Sequence, residues 1–84
     1  MENRLSAIEL DLVEISRGNT EKIAISRKVL NAEDFVDIRK WVFYPGASQW
    51  MPTKRGIMLH HLTWYSVIPE IQKMLQKIKD EKAI

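Results

Sequence analysis

The stretch "FVDIRKWVFY", residues 35–44, separates its side chains by parity. Extended backbone sends successive side chains to opposite sides. Val36, Ile38 and Val42 therefore fall on one face, and Phe35, Asp37, Arg39, Trp41 and Phe43 on the other. A helical period would mix the two sets, so the pattern predicts a strand. One of its faces is aliphatic. The other sets a cation among aromatic rings.

Working outward, "EKIAISRKVL" (21–30) is rich in β-branched residues and reads as another strand, with the turn "NAED" (31–34) between the two. Upstream, "LDLVEIS" (10–16) alternates apolar and polar residues, and "RGNT" (17–20) has turn chemistry. Residues 1–9 read as an arm ahead of the sheet, or a helical turn. Downstream, "PGAS" (45–48) is a third turn, because proline presets the first turn position and glycine allows unusual backbone angles. "QWMPTKRGIML" (49–59) is a last strand, interrupted around Pro52, whose adjacent cations Lys54 and Arg55 sit on a short turn. Turns this short join antiparallel strands only.

From residue 61 the period changes. Trp64, Val67, Ile68, Ile71, Met74, Leu75 and Ile78 recur at helical spacing, with Lys73, Lys77, Asp80 and Glu81 largely off that stripe. The pattern predicts one amphipathic helix over 61–80, kinked or divided at Pro69. The fold class is α+β: a four-stranded antiparallel sheet and one C-terminal helix in a single domain, residues 1–84. The helix can cover only one face of the sheet. The other is left to water, a second subunit or a ligand.

The chain has 84 residues and no cysteine. It can form neither a disulfide nor a cysteine-based zinc site, and a core this small favours assembly into oligomers. "MENRLSAIELDLVE" is interrupted by acids, which argues against a signal peptide or a membrane span. The expected location is the cytoplasm of a bacterium or host cell, or its nucleoid, without secretion. The formal charge is +2. Its positive part gathers between residues 21 and 58, where Lys22, Arg27, Lys28, Arg39, Lys40, Lys54 and Arg55 outweigh Glu21, Glu33, Asp34 and Asp37. That clustering points to an anionic partner.

An exposed face bearing Arg39, Trp41 and Phe43 suits unpaired nucleic acid: bases stack on rings and phosphates take the cations. Lys54 and Arg55 would extend the positive track, and Gly56 would let backbone approach closely. Each feature also has a plain structural reading. Trp41 and Phe43 would be core in a sheet covered on both sides, or a dimer interface. Trp50 would staple its hairpin, Lys54 and Arg55 would be a solvated turn, and Arg39 would pair with Asp37. Arg27 and Lys28 are adjacent, so a regular strand presents only one of them to a ligand. His60 and His61 are adjacent with no third ligand placed nearby, so no metal site is expected. No phosphate loop, nucleophile elbow or carboxylate pair with a placed base is present, so neither an enzyme nor a cofactor is expected.

"VDIRKW", then "PTKRGIML", then a Trp opening a helix, together resemble the single-stranded DNA-binding domain of the transcriptional coactivator positive cofactor four. The likeness covers about residues 21–78 and looks like the bare domain of a bacterial or phage-type member. It implies a symmetric homodimer. Paired sheets would hold single strands with little sequence preference, and helices would pack behind them across the subunit boundary. Arg39 matches that family's sheet arginine, Trp41 its following aromatic, Lys54 and Arg55 its basic turn, and Gly56 its motif glycine. Arg27 falls near an arginine of the second strand. The family's second-strand aromatic is Val29 or Leu30 here, and the aromatic after Trp41 is Val42. Stacking would then move to Phe43, Phe35 or Trp50.

The candidate nucleic-acid contacts are Lys22, Arg27, Lys28, Arg39, Lys40, Trp41, Phe43, Trp50, Lys54 and Arg55. The candidate dimer contacts are Trp64, Ile68, Ile71 and Leu75. Expected partners are single-stranded DNA, with RNA open, a second copy, and transcription or replication machinery, but no membrane. The process would be transcription, replication or recombination. The competing reading is a protein-interaction module that recruits polymerase or replication machinery through the aromatic face.

Overall fold

The computed structural model describes residues 8–83. Four strands run in chain order, β1 (Ile8–Ser16), β2 (Glu21–Leu30), β3 (Glu33–Tyr44) and β4 (Gln49–His60), followed by α1 (His61–Lys82). They form one antiparallel sheet in the order β1-β2-β3-β4, so each strand pairs with its neighbours in sequence. The α+β expectation holds, and β1 starts two residues early, taking in Ile8 and Glu9 of the anticipated arm. Residues 1–7, the rest of that arm, lie outside the described residues.

The turns follow local chemistry. Asn31 and Ala32 both have positive φ, 53° and 64°, which makes the β2–β3 connection a two-residue type I′ hairpin. Asn tolerates that region, whereas Ala meets a steric penalty there. Gly18 supplies the positive φ of the first connection, and the third, Pro45–Ser48, is closed by Ala47 N–H to the Tyr44 carbonyl.

β4 differs from its anticipated form. Arg39 pairs with Gly56 and Trp41 with Pro52, so Thr53, Lys54 and Arg55 together stand opposite Lys40. "TKR" is therefore a bulge within an edge strand, not a turn between two elements. Pro52 is accommodated because an edge strand leaves one row of backbone groups unpaired.

Pro69 does not divide the helix, which runs unbroken from His61 to Lys82. The carbonyl of Tyr65 loses its helical donor there, and an exposed helix can give that oxygen to water. Only Trp64 of α1 is buried, 7% exposed, and its indole N–H donates to the Val36 carbonyl at 2.8 Å. Of the remaining stripe Val67 is half-buried, and Ile68, Ile71, Met74, Leu75 and Ile78 are exposed. The helix thus meets its sheet at its first turns and then projects away. The radius of gyration is 16.0 Å, against about 12 Å for a compact domain of this length.

Replacing Ala32 with Gly should raise stability by about 0.5–1 kcal/mol, because the strained turn loses its Cβ. Thermal unfolding of the two proteins checks it, and an unchanged or lowered midpoint would contradict the turn assignment.

Candidate nucleic-acid interface

β3 parity and the strand register define the two faces. One carries Asp37, Arg39 and Trp41, with Ser26, Ala24 and Lys22 opposite them on β2, Phe43 beyond them, and Lys28 opposite Phe35 at the other end. The other carries Val36, Ile38, Lys40 and Val42, with Glu21, Ile23, Ile25 and Arg27 opposite. Trp64 and a hollow lined by Arg27, Val36, His61 and Tyr65 seat the start of the helix by this second face. The first face keeps an open trough of about 620 Å³, lined, among the described residues, by residues of the sheet.

The floor of the trough is made of Ala24, Ser26 and Asp37, which are among the most buried residues described. Small side chains on β2 leave the space. Its walls carry charge and rings. Trp41, Pro52, Thr53 and Lys54 stand on the β3–β4 side, and Glu9, Leu12 and Glu14 on the β1 side.

Arg39 is held inside its own chain. Its Nε and Nη2 donate to the two carboxylate oxygens of Asp37 at 3.2 and 2.9 Å, and Nη1 donates to the Thr53 carbonyl at 2.9 Å. Asp37 is 4% exposed, and a charge buried to that degree needs such a partner. The bond to Thr53 also fixes the bulge. The Thr53 hydroxyl donates to the Lys40 carbonyl at 2.8 Å and accepts from Arg55 N–H at 3.1 Å. These bonds hold Lys54 and Arg55 out from the strand, where both are exposed. Gly56 serves the same region. A Cβ there would lie 2.6 Å from the Ile38 carbonyl oxygen and 2.8 Å from the Arg39 Cα. The close approach that requires glycine is therefore between β4 and β3.

Three aromatic rings gather at one end. Lys22 Nζ lies 4.6 Å from the Trp50 ring and 5.6 Å from that of Trp41, while Phe43 meets Trp50 edge-on at 5.5 Å. Lys22 also pairs with Glu14 at 2.8 Å. The structure thus brings Lys22, Lys28, Arg39, Trp41, Phe43, Trp50 and Lys54 to one face, with Arg55 beside them on the bulge. Arg27 and Lys40 lie on the other face. Lys40 pairs there with Glu21 at 3.1 Å, and Arg27 with Asp34 at 2.9 Å and Asp11 at 3.8 Å. The hydrogen bond to Asp34, ahead of that carboxylate's charge, raises the Arg27 pKa above its ordinary value. Lys28, Lys54 and Arg55 have no acidic partner among the described residues.

Sequence reasoning passed over Glu9, Glu14, Ser26 and Thr53. The last three were within reach: the register that follows from the two short hairpins places Glu14 and Ser26 on the trough face, and threonine beside a β3 carbonyl is a ready donor. Glu9 was not, because a β1 irregularity between Glu9 and Asp11 reverses its side.

Comparison of the chain with protein-family models, curated proteins and solved structures returns no match.

A Gly56→Ala variant should lose roughly 1–3 kcal/mol of stability, because the new methyl meets backbone that cannot move aside. Chemical denaturation measures it. Full wild-type stability would mean that the strands do not approach as described.

Proposed function

We propose that this chain is a homodimeric single-stranded DNA-binding protein of the positive cofactor four type, serving transcription, replication or recombination. The observation that carries the reading is the trough. One sheet face, free of the helix, combines two exposed-edge cations on a bulge with the Trp41 and Trp50 rings set around Lys22 and Phe43 edge-on to Trp50. Lys54 and Arg55 take phosphates, and Trp41 and Trp50 take bases, each stacked base contributing roughly 1–3 kcal/mol. Arg39 contributes chiefly by shaping the wall. Matched duplex keeps its bases in the stack and can use only the cations.

The dimer is supported by what one copy leaves uncovered. The helical stripe Ile68, Ile71, Met74, Leu75 and Ile78 is exposed, and so are Val13, Ile15, Met51 and Ile57 on the helix side of the sheet. A symmetric pair lets the stripe of each copy meet the apolar sheet face or stripe of the other. Full cover is worth roughly 1.5–3 kcal/mol for each large aliphatic side chain. Ile68, Ile71 and Leu75 are the proposed contacts, and Trp64 anchors each helix to its own sheet. This assembly leaves both troughs open.

Titration with labelled single strands and matched duplex at two salt concentrations tests the reading. Single strands should bind more tightly, and the logarithm of affinity should fall with the logarithm of salt by about 0.7 per phosphate contacted. Replacing Lys54 and Arg55 together with Ala should reduce that slope by about 1.4. Equal, salt-insensitive binding would contradict it, and protein binding unaffected by the double substitution would favour an interaction module. Sedimentation should give a dimer mass, lost in Ile71→Glu; a wild-type monomer would contradict the assembly.

A further inference from the structure

β1 holds an irregularity that re-aims one side chain. In a regular strand Glu9 and Asp11, two residues apart, share a face. Here the register shifts between them, so that Glu9 opposes Lys28 while Asp11 opposes Arg27. Asp11 goes to the helix side, where it reaches Arg27. Glu9 goes to the trough. Bulges that turn a side chain in this way are commonly found beside functional sites.

Glu9 and Lys28 are direct cross-strand partners, yet neither joins an ion pair among the described residues. Two residues along β2 from Lys28 lies Ser26, which is 5% exposed and lines the same trough. Among the described residues its hydroxyl has no hydrogen-bond partner. A buried hydroxyl without a partner is costly unless something supplies one. The other acid of this wall, Glu14, is already held by Lys22. Among the described residues, the β1 end of the trough therefore offers an unpaired carboxylate, an unpaired ammonium and a buried hydroxyl side by side. The phosphate-attracting bulge stands on the opposite wall.

Resting on the single-strand reading above, we propose that Glu9, Lys28 and Ser26 form a base-edge site that favours guanine. A strand whose phosphates follow Lys54 and Arg55 turns its base edges toward β1. Unpaired bases are read on their Watson–Crick edges. Guanine alone presents two adjacent donors there, N1–H and the N2 amino group, flanked by the O6 acceptor. Both donors suit one carboxylate, and O6 suits an ammonium. Thymine places its one donor, N3–H, between two carbonyl oxygens, which a carboxylate repels. Adenine and cytosine each offer one amino group beside an acceptor. The site therefore adds a base preference to an otherwise sequence-tolerant trough, and Glu9 is its deciding residue.

The test compares oligothymidylate with the same oligomer carrying isolated guanines, and with inosines in their place, on the wild type and on Glu9→Gln. Isolated guanines avoid four-stranded structures, and inosine lacks the N2 amino group. The guanine oligomer should bind the wild type about tenfold more tightly than oligothymidylate, with inosine between them. In Glu9→Gln that preference should collapse, while oligothymidylate binding stays equal or tightens as a negative charge leaves the trough. Glu9 lies on an exposed edge strand, so its substitution should leave the unfolding midpoint near wild type. Guanine-blind binding by the wild type, or a preference that survives Glu9→Gln, overturns this inference alone. Failure to bind any of these single strands overturns the nucleic-acid reading and this inference with it.

Discussion

The guanidinium of Arg39 ties this molecule's working face together. It neutralises Asp37 on the trough floor and, with its third nitrogen, grips the Thr53 carbonyl of the β4 bulge. A carboxylate buried to that degree without a partner would cost several kcal/mol. A bulge without the tether would have no fixed direction. One side chain thus joins the charge balance of the floor to the placement of Lys54 and Arg55. The planar fork is what allows this, since three separate nitrogens each make one of these bonds, whereas a lysine would have to make all of them from a single nitrogen. The trough has a depth because Ala24 and Ser26 are small, and it has a wall because Arg39 holds one up.

The two faces of the sheet divide the chemistry. The helix side is aliphatic, and the chain leaves much of it bare. A radius of gyration above that of a compact domain is the same fact in another form. The monomer describes half of an apolar structure, and the proposed second copy supplies the rest. The trough side sets charges and rings around a largely apolar, slightly concave surface, and the helix stays clear of it. Its charge is not uniform, with cations toward β4 and carboxylates toward β1. In the proposed complex that asymmetry sets which way round a single strand lies.

Much of this was legible in the residues. The parity of 35–44 separated the aliphatic face from the ringed one, and short turns forced antiparallel neighbours. The helical stripe was also readable, because seven apolar positions at a period near 3.6 have no other regular home. What the stripe touches was not, since amphipathicity says that a face wants cover and not whose. The "TKR" bulge read as a turn, because proline, two cations and glycine in a row look like loop chemistry. The stabilising contacts are non-local: Thr53 to the Lys40 carbonyl, and Gly56 against β3. Parity could also set Lys40 and Arg39 on opposite sides, yet charge clustering grouped them. Cross-strand carboxylates decide which cations are free, and these emerge only once the register is known.

The three tryptophans allow the account to be tested within one experiment. Trp41 and Trp50 flank Lys22 at the trough, while Trp64 is bonded to the Val36 carbonyl on the other side. Their indole N–H resonances, assigned by single Trp→Phe variants, can be followed as oligothymidylate is added. The account predicts that the Trp41 and Trp50 signals move together, with the Lys54 amide, and that the Trp64 signal stays in place. Movement of Trp64 and the helix amides, with Trp41 and Trp50 unchanged, would contradict it.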